Sequence, residues 1–373
     1  SQMPYDTGFI FTYDSGEFER NMDDALALGD WAGFPQRRKE AAARGKLRGI
    51  GLSNPIEISA GPVTGTLSES AEIRFDSTGG ATGTIGTHSH GQGHETSFAQ
   101  IVADLLGLEP EHVKVRYGDT ELIEHGTGSF GSRSAVAGSV VLIKTADRII
   151  ARAKRIAAAH LEASPDDITF EDGIFRVVGT DKQVGLREVA RLAYTLRPSE
   201  LDGEHGLAAK MMVAPARPTF PNGCHICEVE IDPETGACAI VRYSVVDDVG
   251  RIINPMLVEG QIHGGVVQGL GQMLFEAIVY DDGGQLLTGS FMDYAMPRAR
   301  HCPSFACHNN EVLTPVNPLG VKGAGEAGTV GALAAVANAV ADALSPLGIE
   351  HVDMPFTPER IWRAIRDARR AAP

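Results

Sequence analysis

Four glycine-rich segments punctuate this chain, and each stands before or within a stretch with helical apolar period. They are Gly91-Gln-Gly-His-Glu95, Gly126-Thr-Gly-Ser-Phe-Gly-Ser-Arg-Ser134, Gly260-Gln-Ile-His-Gly-Gly265 and Gly320-Val-Lys-Gly-Ala-Gly-Glu-Ala-Gly328. The third either interrupts or opens its helix. A loop without Cβ atoms lets backbone N–H groups approach a ligand, and a helix N-terminus adds partial positive charge. One such terminus contributes only ~0.3–1 kcal/mol toward an anion. Any one loop is satisfied by a turn or a close helix contact, but four loops bearing Gln, Ser, Arg and Lys point to a polyanionic ligand.

That local reading matters because the chain is acidic overall, with 33 Lys and Arg against 48 Asp and Glu, a net charge of -15. Long-range attraction for nucleic acid or anionic lipid is therefore not expected. At 373 residues and 43% apolar content there is material for about two ordinary domains. The most apolar run, Gly331 to Leu344, carries Asn338 and Asp342, so no membrane span is expected. The chain begins at Ser1 without the basic and apolar regions of a secretory signal, which hints at a fragment or a processed chain. Five cysteines in so long a chain suit a reducing compartment, and a cytoplasmic location is expected.

Cys224 and Cys227 form a C-x-x-C, but the segment continues as the alternating strand Glu228-Val-Glu-Ile-Asp232. In a strand, residues three apart point to opposite faces, and no second C-x-x-C exists to complete four ligands. No metal ligands are assigned from sequence.

The order of elements reads as α+β: two blocks of mixed sheet and helices, without the βα alternation of a doubly wound fold. Ser15 is expected to cap a helix from Glu17 to Leu28, and Pro35 to open Gln36 to Arg44. Further on come strand Glu72–Phe75, helix Thr96–Leu106, strand His112–Tyr117 and a long helix to Leu161. Hairpins turn at Asp172-Gly173 and at Pro233–Gly236. Helices follow at Met256–Val279, Val330–Leu344 and Pro358–Arg370, the last behind the cap Thr357. The Pro-, Gly- and charge-rich stretch Arg197 to Pro221 separates the blocks. The expected division is a helical segment 1–45, a first cofactor-binding subdomain 46–205 and a second 206–373.

Two loops also match G-x-G-x-x-G, at Gly126, Gly128, Gly131 and at Gly323, Gly325, Gly328. Neither suits a dinucleotide site. The second follows Pro315-Val-Asn-Pro318 and places Glu326 where pyrophosphate would be repelled; the first is separated from its strand by Asp119 to His125.

Five motifs occur in order: Gly91 to Gln100, Gly131 to Ser134, Val246-Asp-Asp-Val-Gly-Arg-Ile-Ile-Asn-Pro255, Glu259 to Gly265 and Gly320 to Gly328. Together, from about Gly49 to Arg369, they resemble the C-terminal half of the large subunit of molybdenum hydroxylases, of the xanthine dehydrogenase, aldehyde oxidase and carbon monoxide dehydrogenase type. The resemblance implies a molybdopterin cofactor with molybdenum, often extended as a cytosine dinucleotide in bacteria. It implies Gln92 and Gly93 as hydrogen-bond partners of that cofactor, and Gly131, Ser132, Arg133 and Ser134 along its phosphate and pterin. Gln261 would approach the metal centre, and Lys322, Gly323, Ala324 and Gly325 would line the cofactor. His94 could bond backbone or ligand. Glu326 occupies the position of the general base in a hydroxylation that draws its oxygen from water. A carboxylate at that place could instead cap the next helix.

The implied partners are the N-terminal half of the large subunit, in the same or a separate chain, an iron–sulfur small subunit and an FAD medium subunit, assembled as a dimer of heterotrimers. The implied substrates are an aldehyde, an N-heterocycle or carbon monoxide. A noncatalytic assembly module, or a reductase of the same family such as the hydroxybenzoyl-CoA type, would carry the same motifs. Alone, the chain is expected to fold, to hold little cofactor and to be inactive.

Overall fold

A computed structural model describes residues 3–61, 67–196 and 205–371. In chain order the first elements are β1 (Tyr5–Asp6), β2 (Thr12–Tyr13), α1 (Phe18–Leu28), α2 (Phe34–Ala43), β3 (Leu47–Ser53), β4 (Glu69–Phe75) and β5 (Ala81–Ile85). Next come α3 (His94–Leu106), β6 (Val113–Arg116), α4 (Ser134–Leu161), β7 (Ile168–Glu171), β8 (Ile174–Val177), β9 (Gln183–Gly185), α5 (Leu186–Leu192) and β10 (Ala208–Val213). The chain closes with β11 (Asn222–Ile231), β12 (Cys238–Asp248), α6 (Pro255–Leu274), β13 (Phe305–Asn309), α7 (Ala327–Leu344) and α8 (Pro358–Ala371).

Contacts divide the chain into two compact units, 1–58 with 220–313 and 322–373, and 59–219 with 314–321. In the first, a sheet runs β13-β12-β11-β3, antiparallel except for the parallel pair β12–β13. Alternation along β11 sorts its side chains between two cores. Cys227, Val229 and Ile231 join Ala332, Ala335 and Ala339 of α7 and Ile262 and Val266 of α6. Cys224 and Ile226 join Ala25 of α1 and Phe34 of α2. The two cysteines thus lie on opposite faces, and burial pushes the Cys224 thiol up to about 12 and that of Cys227 well above its ordinary value.

Helix α7, continued to Leu347, is long and apolar enough on length and composition to cross a membrane. Here it is the central core helix, with Ala332, Ala335, Val336, Ala339 and Val340 all buried. Its approach to β3 needs glycine: a Cβ on Gly49 would lie 2.1 Å from the Ala339 carbonyl oxygen.

In the second unit a sheet runs β10-β4-β5-β6, with β5 and β6 parallel, and α3 and α4 supply buried Phe98, Val102, Leu142 and Ile149. A separate antiparallel sheet β7-β8-β9 lies in the same unit.

The α+β class is as expected, but the division is not. Residues 1–45 are no separate segment, because α1 and α2 bury Ala25, Phe34 and Ala41 within the first unit. The second crossover falls at 219/220 and not at 205/206, because β10 pairs with β4. Of the expected boundary stretch, residues 197–204 lie outside the described residues. Ser15 does not cap α1; its hydroxyl donates to the Val312 carbonyl at 3.4 Å. Gly260 to Gly265 neither open nor interrupt a helix but lie inside α6, which starts at Pro255 behind the Asn254 cap. That helix stops at Leu274, short of Val279, with the Phe275 and Glu276 N–H groups both folding back onto the Gly271 carbonyl.

Candidate functional site

In the second unit, Gly93 takes a left-handed conformation at φ 72° to start α3, and its carbonyl accepts from Thr96 and Ser97. Gln92 closes locally on His90: its Oε1 accepts from the His90 N–H at 2.6 Å, and its Nε2 lies 2.7 Å from the His90 ring. His94, the first residue of α3, is buried against Phe98 with ring centroids 5.0 Å apart, and its Nδ1 has no hydrogen-bond partner.

Burial pushes the His94 pKa down to about 4 from 6.5. An unfolded chain would then bind the extra proton between those two values. Stability linked to His94 is complete above about 6.5 and is lost as pH falls toward about 4. Ring-proton NMR should show a neutral imidazole at pH 5.5 to 6; an ordinary midpoint near 6.5 would contradict this burial.

The loop before α4 carries two successive left-handed residues, Gly131 at φ 52° and Ser132 at φ 50°. For Ser132 that conformation costs roughly 1–3 kcal/mol. It is held by the Ser59 hydroxyl donating to the Ser132 carbonyl at 2.8 Å and by the Ala60 N–H donating to the Gly131 carbonyl at 3.3 Å. Ser134 donates to the Ser129 hydroxyl at 3.0 Å. Cβ atoms on Gly91, Gly128 or Gly131 would meet nothing within 4 Å, so these loops border open space.

Arg133 corrects the expectation that its guanidinium forks to a phosphate. It is 1% exposed, and its Nη1 donates to Glu69 Oε2 at 2.6 Å and to the Gly128 carbonyl at 2.7 Å. Only Nε, buried, is left without a partner. The residue ties the glycine loop to β4. Glu69 was legible by parity: it shares its face of β4 with Ala71, Ile73 and Phe75, so an acid there needs a buried partner.

In the first unit, β12 ends in Asp247-Asp248, and Asp248 is a buried hub. Its Oδ2 accepts from Lys322 Nζ at 2.6 Å and Asn222 Nδ2 at 3.2 Å; its Oδ1 accepts from the N–H groups of Gly250 and Val312. Burial raises the Asp248 pKa against the opposing pull of Lys322. Lys322 also donates to the Ser15 carbonyl, and its own N–H bonds the Val249 carbonyl. The expectation that Lys322 lines a cofactor is therefore corrected: the ammonium is committed to Asp248 and anchors the start of the last glycine loop.

From that anchor the chain rises outward, with Gly323 buried, Ala324 half-buried, and Gly325 and Glu326 exposed. Glu326 is the N-cap residue of α7, yet its side chain makes no capping hydrogen bond to the helix. Beside it runs α6: a Cβ on Gly328 would lie 2.5 Å from the Ile262 carbonyl oxygen. This backbone contact places the turn of half-buried Gln261 next to the start of α7. Sequence reasoning missed a further buried set, in which His225 sits between the Tyr243 hydroxyl at 2.8 Å and Asp247 Oδ1 at 3.2 Å. Its ring fills the space over Gly331, one turn into α7.

Residues 24–303 match the family model of the molybdopterin cofactor-binding domain. The chain is 40% identical over 365 residues to the nicotine 6-hydroxylase large subunit of Paenarthrobacter nicotinovorans, covering 95% of this chain and 45% of that protein. It is 37% identical over 380 residues to the carbon monoxide dehydrogenase large chain of Hydrogenophaga pseudoflava, covering 98% and 47%. The crystal structure of a Cu,Mo-CO dehydrogenase superposes with a TM-score of 0.90 at 34% identity, covering 100% of this chain and 48% of that one. The chain thus spans about half the length of the curated relatives it matches. Together, the match over most of the chain and the superposition show that it belongs to the molybdopterin cofactor-binding family.

Proposed function

We propose that this chain is the cofactor-holding C-terminal half of a molybdenum hydroxylase large subunit, and that Glu326 is its general base. The observation that carries the reading is the placement of Glu326: an exposed carboxylate at the start of α7, between Gly325 and Ala327-Gly328 and raised on a loop anchored by Lys322 and Asp248. The residues fit a molybdopterin. The buried, unpartnered Nδ1 of His94 is a polar atom that a bound ligand would satisfy, and the loops around Gly91, Gly128 and Gly131 leave open space for one.

Gln92, Gly93, His94, Gly131, Ser132 and Ser134 are the cofactor-binding residues of the second unit, and Gln261 and Gly323 to Gly325 are those of the first. The cytosine dinucleotide form suits loops that present backbone N–H groups to phosphate. When bound, the molybdenum cofactor supplies two-electron redox chemistry. Glu326 takes the proton from the water-derived nucleophile as its oxygen joins the substrate carbon, with about 10²–10⁴-fold acceleration expected of a positioned base.

The substrate is an aldehyde, an N-heterocycle or carbon monoxide. Electrons leave through an iron–sulfur small subunit and an FAD medium subunit, in a dimer of heterotrimers in the cytoplasm. The relatives' names, which are those of large subunits and chains, support the multi-subunit reading. The assembly purified from its host should reduce a dye with one of these substrate classes and place ¹⁸O from labelled water in the product. Label arriving from molecular oxygen would overturn the reading.

A further inference from the structure

From Ile278 to Arg300, in the first unit, not one residue is buried. Structureless connections of this length are uncommon within a compact domain and are usually functional. The segment nevertheless has its own order. Tyr280 bridges Leu286, the Leu287 N–H donates to the Val279 carbonyl at 2.8 Å, and Asp281 Oδ1 accepts from the N–H groups of Gly283 and Gln285. The Tyr294 hydroxyl donates to Glu276 Oε2 at 3.0 Å, tying the far end back to the end of α6.

What this ordered segment shows to solvent is apolar. Phe291 is 83% and Met292 93% exposed, and Ile278, Tyr280, Leu287 and Met296 are exposed as well. The stretch from Gly283 to Met292 carries no charge, while Asp281 and Asp282 precede it and Asp293, Arg298 and Arg300 follow it. An uncharged centre rich in aromatic and Met side chains inside a charged rim is the anatomy of a protein interface.

We infer that the Ile278–Arg300 surface is a docking face for the other half of the large subunit. Charge argues against a membrane: a chain of net charge -15 is repelled by anionic lipid. Length argues for a polypeptide of comparable size. The matched relatives carry this region within chains of which it makes up only 45% and 47%, so about as much chain again remains to be packed against it. The inference rests on the proposed reading only in naming that partner. Its test reads neither metal nor turnover, so the two fail separately.

Two measurements on the protein purified from its host test this. Peroxide oxidation of Met292 and Met296, followed by peptide mass spectrometry, should run at least tenfold slower in the host assembly than in the chain alone. A difference below threefold would overturn the inference, and this comparison needs no variant. Replacing Phe291 by p-benzoylphenylalanine and irradiating the assembly should cross-link to large-subunit sequence outside this chain. Cross-links to a second copy of this chain, to lipid or to an unrelated protein would overturn it, as would none at all.

Discussion

In the assembled enzyme, Glu326→Gln should lower turnover by at least ~10²–10⁴-fold while molybdenum content stays unchanged. Gln keeps the size of the side chain and can still hydrogen-bond, so what is removed is the capacity to accept a proton. The structure makes the substitution clean. Glu326 is exposed and its side chain accepts no capping hydrogen bond from α7, and Gln preserves its size at the N-cap. Retained metal with lost turnover separates a base from a structural carboxylate. If the Gln variant kept near-normal turnover, the base would lie elsewhere; if it lost metal or melted at much lower temperature, Glu326 would be structural.

The second large effect is on stability. Arg133→Ala should destabilise the chain by about 3–5 kcal/mol in denaturant unfolding, because it strands the carboxylate of Glu69, which has no exposed surface. The Gly128 carbonyl would lose its bond as well, loosening the loop before α4. Replacing both partners, Glu69→Leu with Arg133→Met, should recover much of the loss, since no buried charge is then left unpaired. If Arg133→Ala instead left unfolding unchanged, the pair would contribute nothing in solution and the guanidinium would be available to a ligand after all.

Much of the architecture was legible because apolar period specifies it. The hairpins β7–β8 and β11–β12, the helices α3, α4, α7 and α8, and the split of Cys224 from Cys227 all follow from alternation or helical spacing. Glycine was ambiguous because it signals both a loop and a close packing contact. Within α6 it is the second: Gly265 lies on the stretch that meets Gly328 of α7, and Gly269 faces Ala332. Domain division failed because β3 and β10 each pair with strands distant in sequence, β11 and β4, which no local pattern shows.

The site was legible in position more than in partnership. Glu326 and three of the four glycine segments stand where helices start, but Arg133 and Lys322, two cations in glycine loops, look like anion ligands in sequence. Each turns out to be neutralised by a buried acid, Glu69 or Asp248, from a strand far away in the chain. Only long-range pairing could reveal that, although the inward parity of Glu69 gave a hint.

The most direct test of the central claim is metal and nucleotide analysis of this polypeptide purified from its own host. Stoichiometric molybdenum, with CMP released on acid treatment, is the expected result, while the recombinant chain alone should fold but carry little or no molybdenum. A host assembly that contains this chain but neither molybdenum nor a pterin-linked nucleotide would contradict the account.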